Sequence, residues 1–362
     1  MRHIFQLGYP GNMGGANTEA WHTVRLWREA GWDVTMIPTW GHDDYWENRL
    51  NSIGVSTVHV SVEDLEKVPG LPGSIVVGMC NQHFCRTKAK GQRWQNFARL
   101  KAMGCRTVWA PCMCFIFPHE QFTWSRYGVP DAMVFQSQFQ RQRFELAIHN
   151  WGYSPEQGFT IRGAFWPDEF PFKPRRHAPG SGFTIGKLAR PDADKWPKNL
   201  WEVIGGVPYE RRQALAMGWN DTLEKKVGPP PDWATCLPPQ DVSSTEFLSR
   251  CHCLLGINGG AQENWPRVGL EAMASGVPLI TYDGWGWREM LQQQETGILC
   301  ENDQEVQYWA AYLAHNESRR LEIAEAARVE VERVSNPLLL TSAWERLFKF
   351  VESREPAGCP AA

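Results

Sequence analysis

Apolar residues recur along this chain in short runs whose spacing alternates between the strand and the helix period. Residues 4–7 form an apolar run, and the glycine-rich stretch 8–15 follows. Between 18 and 30, Trp21, Val24, Leu26 and Trp27 fall close to helical spacing. Gly31 supplies a stop, and residues 34–37 resume a strand. This opening predicts a βαβ unit, the building block of a parallel sheet with helices on its faces. Further strands are predicted at 74–80, 106–110, 132–135 and 159–161, with helices at 91–103 and 138–151. Segment 170–181, FPFKPRRHAPGS, is rich in proline, charge and glycine and reads as a linker. A second alternation follows, with strands at 183–188, 214–218, 252–257 and 277–281 and helices at 196–205 and 266–275. The tail is predicted helical from 304 to 334 and from 338 to 352. The pattern therefore predicts an α/β chain of two halves, 1–175 and 176–337, closed by a helix and tail at 338–362.

Size agrees, because 362 residues exceed what one hydrophobic core comfortably supports. A net charge of −3 conceals an asymmetry: residues 1–178 sum to +4 and the remainder to −7. From Lys67 to His119 there are eight basic residues and no acidic one, so an anionic partner is expected to meet the first half. The ten cysteines lack the density of a disulfide scaffold. Cys112/Cys114, Cys251/Cys253 and the Cys80–His83–Cys85 cluster have no zinc spacing, and buried structural thiols are the expectation. Met1 leads directly into a strand-like run, so a cytoplasmic protein without a leader is expected. No apolar run approaches the roughly 20 residues of a membrane span. Peripheral membrane contact stays open.

The sharpest chemistry lies in Gly259-Gly260-Ala261-Gln262-Glu263-Asn264-Trp265-Pro266-Arg267 and its continuation to Pro278. Pro266 suits the first position of a helix and Gly276 suits its stop. Glu263 then precedes the helix, and Glu271 lies roughly 7–8 Å along its axis. A helix N-terminus favours a phosphate, and carboxylates beside it accept hydrogen bonds from sugar hydroxyls. The bland alternative is a helix with ordinary surface glutamates.

The run Glu271-Ala272-Met273-Ala274-Ser275-Gly276-Val277-Pro278 resembles the signature E-A-M-A-x-G-x-P of the retaining glycosyltransferases of GT-B fold, the family-four-like glycosyl transferases group 1. The resemblance implies two facing Rossmann-like domains with parallel sheets and a C-terminal helix returning to the first. It implies that Glu263 binds the transferred sugar and Glu271 the ribose of a nucleoside diphosphate sugar. Arg190 and Lys195, after the strand at 183–188, look like the family's pair of cations on the diphosphate. Gly14 and Gly15 resemble its first glycine loop, while Asn264, Trp265 and Arg267 stand where further donor contacts are made. Two departures are visible. Pro266 replaces a family glycine and cannot donate a backbone hydrogen bond. No histidine follows the strand at 106–110, which leaves His83 as the substitute near the reacting sugar. No cofactor and no metal are implied, since fixed cations stabilise the leaving group.

The acceptor is less defined. Arg86, Lys88, Lys90, Arg93 and Trp94 interleave cations with an aromatic, as phosphate contact and base stacking require. A nucleic acid carrying a hydroxymethylated base, flipped from its stack, is one acceptor. Anionic lipid, polysaccharide or a plainly solvated helix face are others. A nicotinamide dehydrogenase is disfavoured because no G-x-G-x-x-G joins a strand to a helix. A sugar-nucleotide epimerase or a non-catalytic binding protein on the same fold remain the rival classes.

Overall fold

The apolar runs form strands because they are buried on both faces, and a strand covered by helices on each side carries little polar alternation. The computed structural model describes residues 2–8, 14–38, 43–60, 62–80, 83–85 and 96–355, with only the backbone of 62, 63 and 83. The chain divides into two units, Met1–Phe165 with Asn336–Ala362, and Trp166–Ser335.

In the first unit the order is β1 (His3–Leu7), α1 (Gly15–Glu29), β2 (Asp33–Ile37), α2 (Asp44–Ser52), β3 (Ser56–Thr57), β4 (Ile75–Met79) and α3 (Asn96–Ala102). It continues with β5 (Arg106–Ala110), α4 (Pro118–Tyr127), β6 (Ala132–Phe135), α5 (Gln138–Ile148) and β7 (Gly158–Thr160). The sheet is parallel, in the order β3-β2-β1-β4-β5-β6-β7. Its core gathers Phe97, Trp109, Trp124 and Phe144.

The second unit runs β8 (Phe183–Leu188), α6 (Leu200–Gly205), β9 (Arg212–Met217), α7 (Asp221–Val227), β10 (Ala234–Leu237), α8 (Ser244–Ser249) and β11 (Cys253–Leu255). After it come α9 (Arg267–Ser275), β12 (Leu279–Tyr282), α10 (Trp287–Met290), β13 (Ile298–Cys300), α11 (Asp303–His315) and α12 (Glu317–Val334). This sheet is parallel too, ordered β10-β9-β8-β11-β12-β13. Phe183, Ile185, Trp196, Leu200 and Ile280 lie in its core.

The last helix, α13 (Pro337–Glu352), belongs to the first unit. Trp344 and Phe348 meet Trp27 edge-on at 5.0 and 5.9 Å. Arg2 pairs with Glu352 at 2.8 Å and also with Glu345, and Arg106 donates to the Val351 carbonyl at 3.0 Å.

Some elements differ from the sequence reading. The helix expected at 196–205 begins only at Leu200, because Trp196 is a fully buried core wedge. The single tail helix at 304–334 is two helices, broken at Asn316, whose φ of −125° and ψ of 72° are not helical. The segment at 170–181 is wound onto the second unit. Arg328 Nη1 donates to the carbonyls of Pro167, Phe170 and Ala274, and Lys173 N donates to the Ser275 carbonyl.

Candidate functional site

In a doubly wound parallel sheet, ligands settle at the C-terminal ends of two adjacent strands whose connections leave in opposite directions. In the second unit that switch falls between β8 and β11. The loop after β8 carries Arg190 and Lys195, and the loop after β11 carries Glu263.

The two loops are stitched together. The Asp194 carbonyl accepts from Gly259 N and Ala261 N, each at 2.9 Å. Lys226 Nζ donates to the Trp196 carbonyl at 2.6 Å and to that of Ala193. Gly259 has no room for a side chain, since a Cβ would stand 2.1 Å from the Trp196 carbonyl oxygen.

This stitching brings Lys195 Nζ to Glu263 Oε1 at 2.7 Å, with side-chain exposures of 22% and 14%. Asn258 Nδ2 donates to the same oxygen at 2.9 Å. Among the described residues nothing donates to Oε2, so this half-sheltered carboxylate keeps acceptor capacity for a hydroxyl. Arg190 is exposed and pairs with Asp192 at 3.0 Å rather than with the glutamate.

Beneath the pair lies Lys187, which the motif reading missed. It is 2% exposed and donates to the Ile257 carbonyl at 2.7 Å. Burial pushes its ammonium down to about 7, and the charge of Glu263 works against that shift. The sequence does carry a signal for it. Phe183 and Ile185 are core residues of the same strand, so a lysine at the next inward position is anomalous.

Glu271 is in the second turn of α9, on its half-buried side. Burial pushes its carboxyl up to about 7, while Arg267, four residues earlier, and the Ser244 hydroxyl oppose the shift. Pro266 sits one position earlier than expected, at the N-cap, with φ −68° and ψ 120°. Its carbonyl accepts from Gly269 N at 3.0 Å. Gly276 closes the helix at φ 82°, in the left-handed region that glycine adopts without steric cost. Asn264, Trp265 and Arg267 are buried, so their side chains line the interior of the unit rather than its surface.

In the first unit the switch lies between β1 and β4. Gly14, at φ 152°, caps α1, and Gly15 is its first residue, so the start of this helix faces that switch. His83 follows β4 in a short turn, and its side chain is outside the described residues. Arg86, Lys88, Lys90, Arg93 and Trp94 also lie outside them. Three other cations of the acid-free stretch are engaged. Arg99 pairs with Glu66, Lys101 donates to the Tyr127 carbonyl, and Arg106 donates to those of Gly73 and Val351.

Among the described residues no helix is long and apolar enough to cross a membrane, and no cluster of three or more His, Cys, Asp or Glu is arranged to hold a metal.

Residues 238–330 match the family model described as Glycosyl transferases group 1. No curated protein sequence matches the chain. Among solved structures, Anabaena HepE in complex with UDP-glucose superposes with a TM-score of 0.73 at 14% identity, covering 98% of this chain and 100% of HepE. A point mutant of S. aureus TarM with Fondaparinux, alpha-GlcNAc-glycerol and UDP gives 0.71 at 12%, covering 96% and 100%. Sucrose-phosphate synthase from Thermosynechococcus elongatus gives 0.67 at 13%, covering 96% and 100%. The fold is therefore GT-B, and the second unit carries the group 1 glycosyl transferase signature from 238 to 330.

Proposed function

We propose that this chain moves a sugar from a nucleoside diphosphate sugar to an acceptor hydroxyl, with retention of configuration. The observation that carries the reading is the Lys195–Glu263 contact at 2.7 Å, which joins two separate motifs at the switch point of one sheet. A cation and a carboxylate side by side match a ligand whose anionic diphosphate adjoins a polyhydroxy ring.

In this reading Glu263 orients the transferred sugar through its hydroxyls. Lys195 and Arg190 neutralise the diphosphate, Glu271 accepts from the ribose, and the α1 N-terminus at Gly14 and Gly15 offers amides to a phosphate or an acceptor. Asn264, Trp265 and Arg267 shape the pocket wall from within. The acceptor oxygen bonds to the anomeric carbon, the bond from that carbon to the diphosphate breaks, and the acceptor proton passes to the departing diphosphate. Positive groups fixed before reaction stabilise the developing charge, so no metal is required. His83 serves near the reacting sugar, and the patch at Arg86, Lys88, Lys90, Arg93 and Trp94 meets an anionic acceptor.

A transfer and hydrolysis assay across UDP-, GDP- and ADP-sugars tests this. Glu263→Gln is expected to lower turnover by about 10²–10³-fold, the scale of losing one positioned electrostatic contact, while free diphosphate still binds. Undiminished turnover in Glu263→Gln and Lys195→Met removes the assignment.

A further inference from the structure

Among the described residues four non-glycine residues have positive φ, and the bulkiest is Trp285, at 53°. A large side chain in this region is a conformational outlier, and such outliers persist only where the surroundings enforce them. The enforcement is visible in the two residues that follow it. Gly286 N donates to the Glu263 carbonyl at 2.9 Å, and Gly286 packs so tightly that a Cβ would stand 1.4 Å from the Asn264 carbonyl oxygen. Trp287 is 1% exposed and wedges its ring against Gly256, before the Glu263 loop, and against Gly269 in α9. The loop after β12 is thus clamped to the loop that carries Glu263.

Just before these anchors, Trp285 differs from Trp287. It is half-buried, and among the described residues its indole has no hydrogen-bond, ring or cation partner. A strained backbone thus holds, one residue from a contact to Glu263, a half-buried indole that among the described residues has no polar, ring or cation partner. An indole offers a broad apolar face that suits the C–H face of a pyranose ring.

We propose that Trp285 is a specificity-determining platform on which the transferred sugar stacks. This rests on the donor reading above. The anchor is the backbone of Glu263, the residue assigned to the sugar, and not that of Glu271, assigned to the ribose, so the nucleobase is not the partner.

The test compares affinities for UDP-glucose, GDP-mannose and ADP-glucose with those for UDP, GDP and ADP, in the full-length protein and its variants. Trp285→Gly should leave the diphosphate affinity unchanged and lower the nucleotide-sugar affinity by about tenfold, the scale of one lost ring contact. Trp285→Phe, which keeps an aromatic face, should lose no more than about threefold. An unchanged ratio of sugar-nucleotide to diphosphate affinity in Trp285→Gly overturns the platform while leaving the donor reading intact. A parent protein that binds none of the six ligands overturns both.

Discussion

His252 is 1% exposed and held in one tautomer, with Nδ1 accepting from Thr184 N at 2.8 Å and Nε2 facing the Arg176 carbonyl at 3.4 Å. Burial, with Arg175 and Arg320 adding positive charge, pushes its pKa from 6.5 down to about 3. A depressed folded value means that the native state binds fewer protons than the unfolded one between these limits. The contribution of the neutral ring is therefore complete above pH 6.5 and is lost as pH falls towards 3. Urea midpoints are expected to fall across that window. In His252→Phe the slope should flatten, while the unmet Thr184 N–H costs about 1–3 kcal/mol at about pH 8. Glu271 has the opposite shift. Its carboxyl is raised to about 7, so it is largely ionised only above that pH, and under the donor reading proposed above that ionised form is the one that accepts from the ribose. Diphosphate affinity measured by calorimetry should rise through pH 7, and the part owed to this residue should vanish in Glu271→Gln. The glutamates themselves were legible as a spacing on either side of a helix start. Lys187 was not found, because a lysine within a strand is unremarkable until that strand's inward face is known to be core.

Elements with two buried faces were the readable ones. The runs at 106–110, 132–135 and 183–188 coincide with β5, β6 and β8. β10 was missed because it is the edge strand of its sheet and its four residues are no better than half-buried, so no apolar run marks it. Short polar helices such as α7 were missed for a related reason: only Leu223 and Val227 are buried, which is too sparse for a period to register. The loops at the strand ends depend instead on backbone proximity. Gly286 is the most demanding of them, and Gly286→Ala should force the Trp285 loop off the Asn264 carbonyl. Turnover should fall by about tenfold or more in that variant, as misplaced positioning groups do, with near-native far-UV circular dichroism. Native-like turnover would show that the loop plays no part in the site.

Across the whole molecule, the chain leaves its first unit at Phe165 and returns to it at Asn336, so α13 completes a fold begun at the N-terminus. Trp344 is 2% exposed and sits on Trp27. Truncating it to alanine should cost the first unit about 3–5 kcal/mol. Calorimetry of Trp344→Ala is expected to show a lowered transition for that unit while the transition of 166–335 stays in place, because each unit has its own core. A shift of both transitions together would show that the units unfold as one. Local pattern was enough to predict two α/β units, their parallel strands and a helical tail, and the family resemblance of one motif added that the tail returns to the first unit. Periodicity and turn chemistry are properties of neighbouring residues, and a single sequence displays them directly. Only the tertiary structure decided that Lys195 meets Glu263 across 68 positions, that Lys187 is buried beneath them, and that Trp285 is held in a strained turn beside them. Those relations follow from strand order and from how closely one loop backbone approaches another. Neither is encoded in the spacing of adjacent side chains.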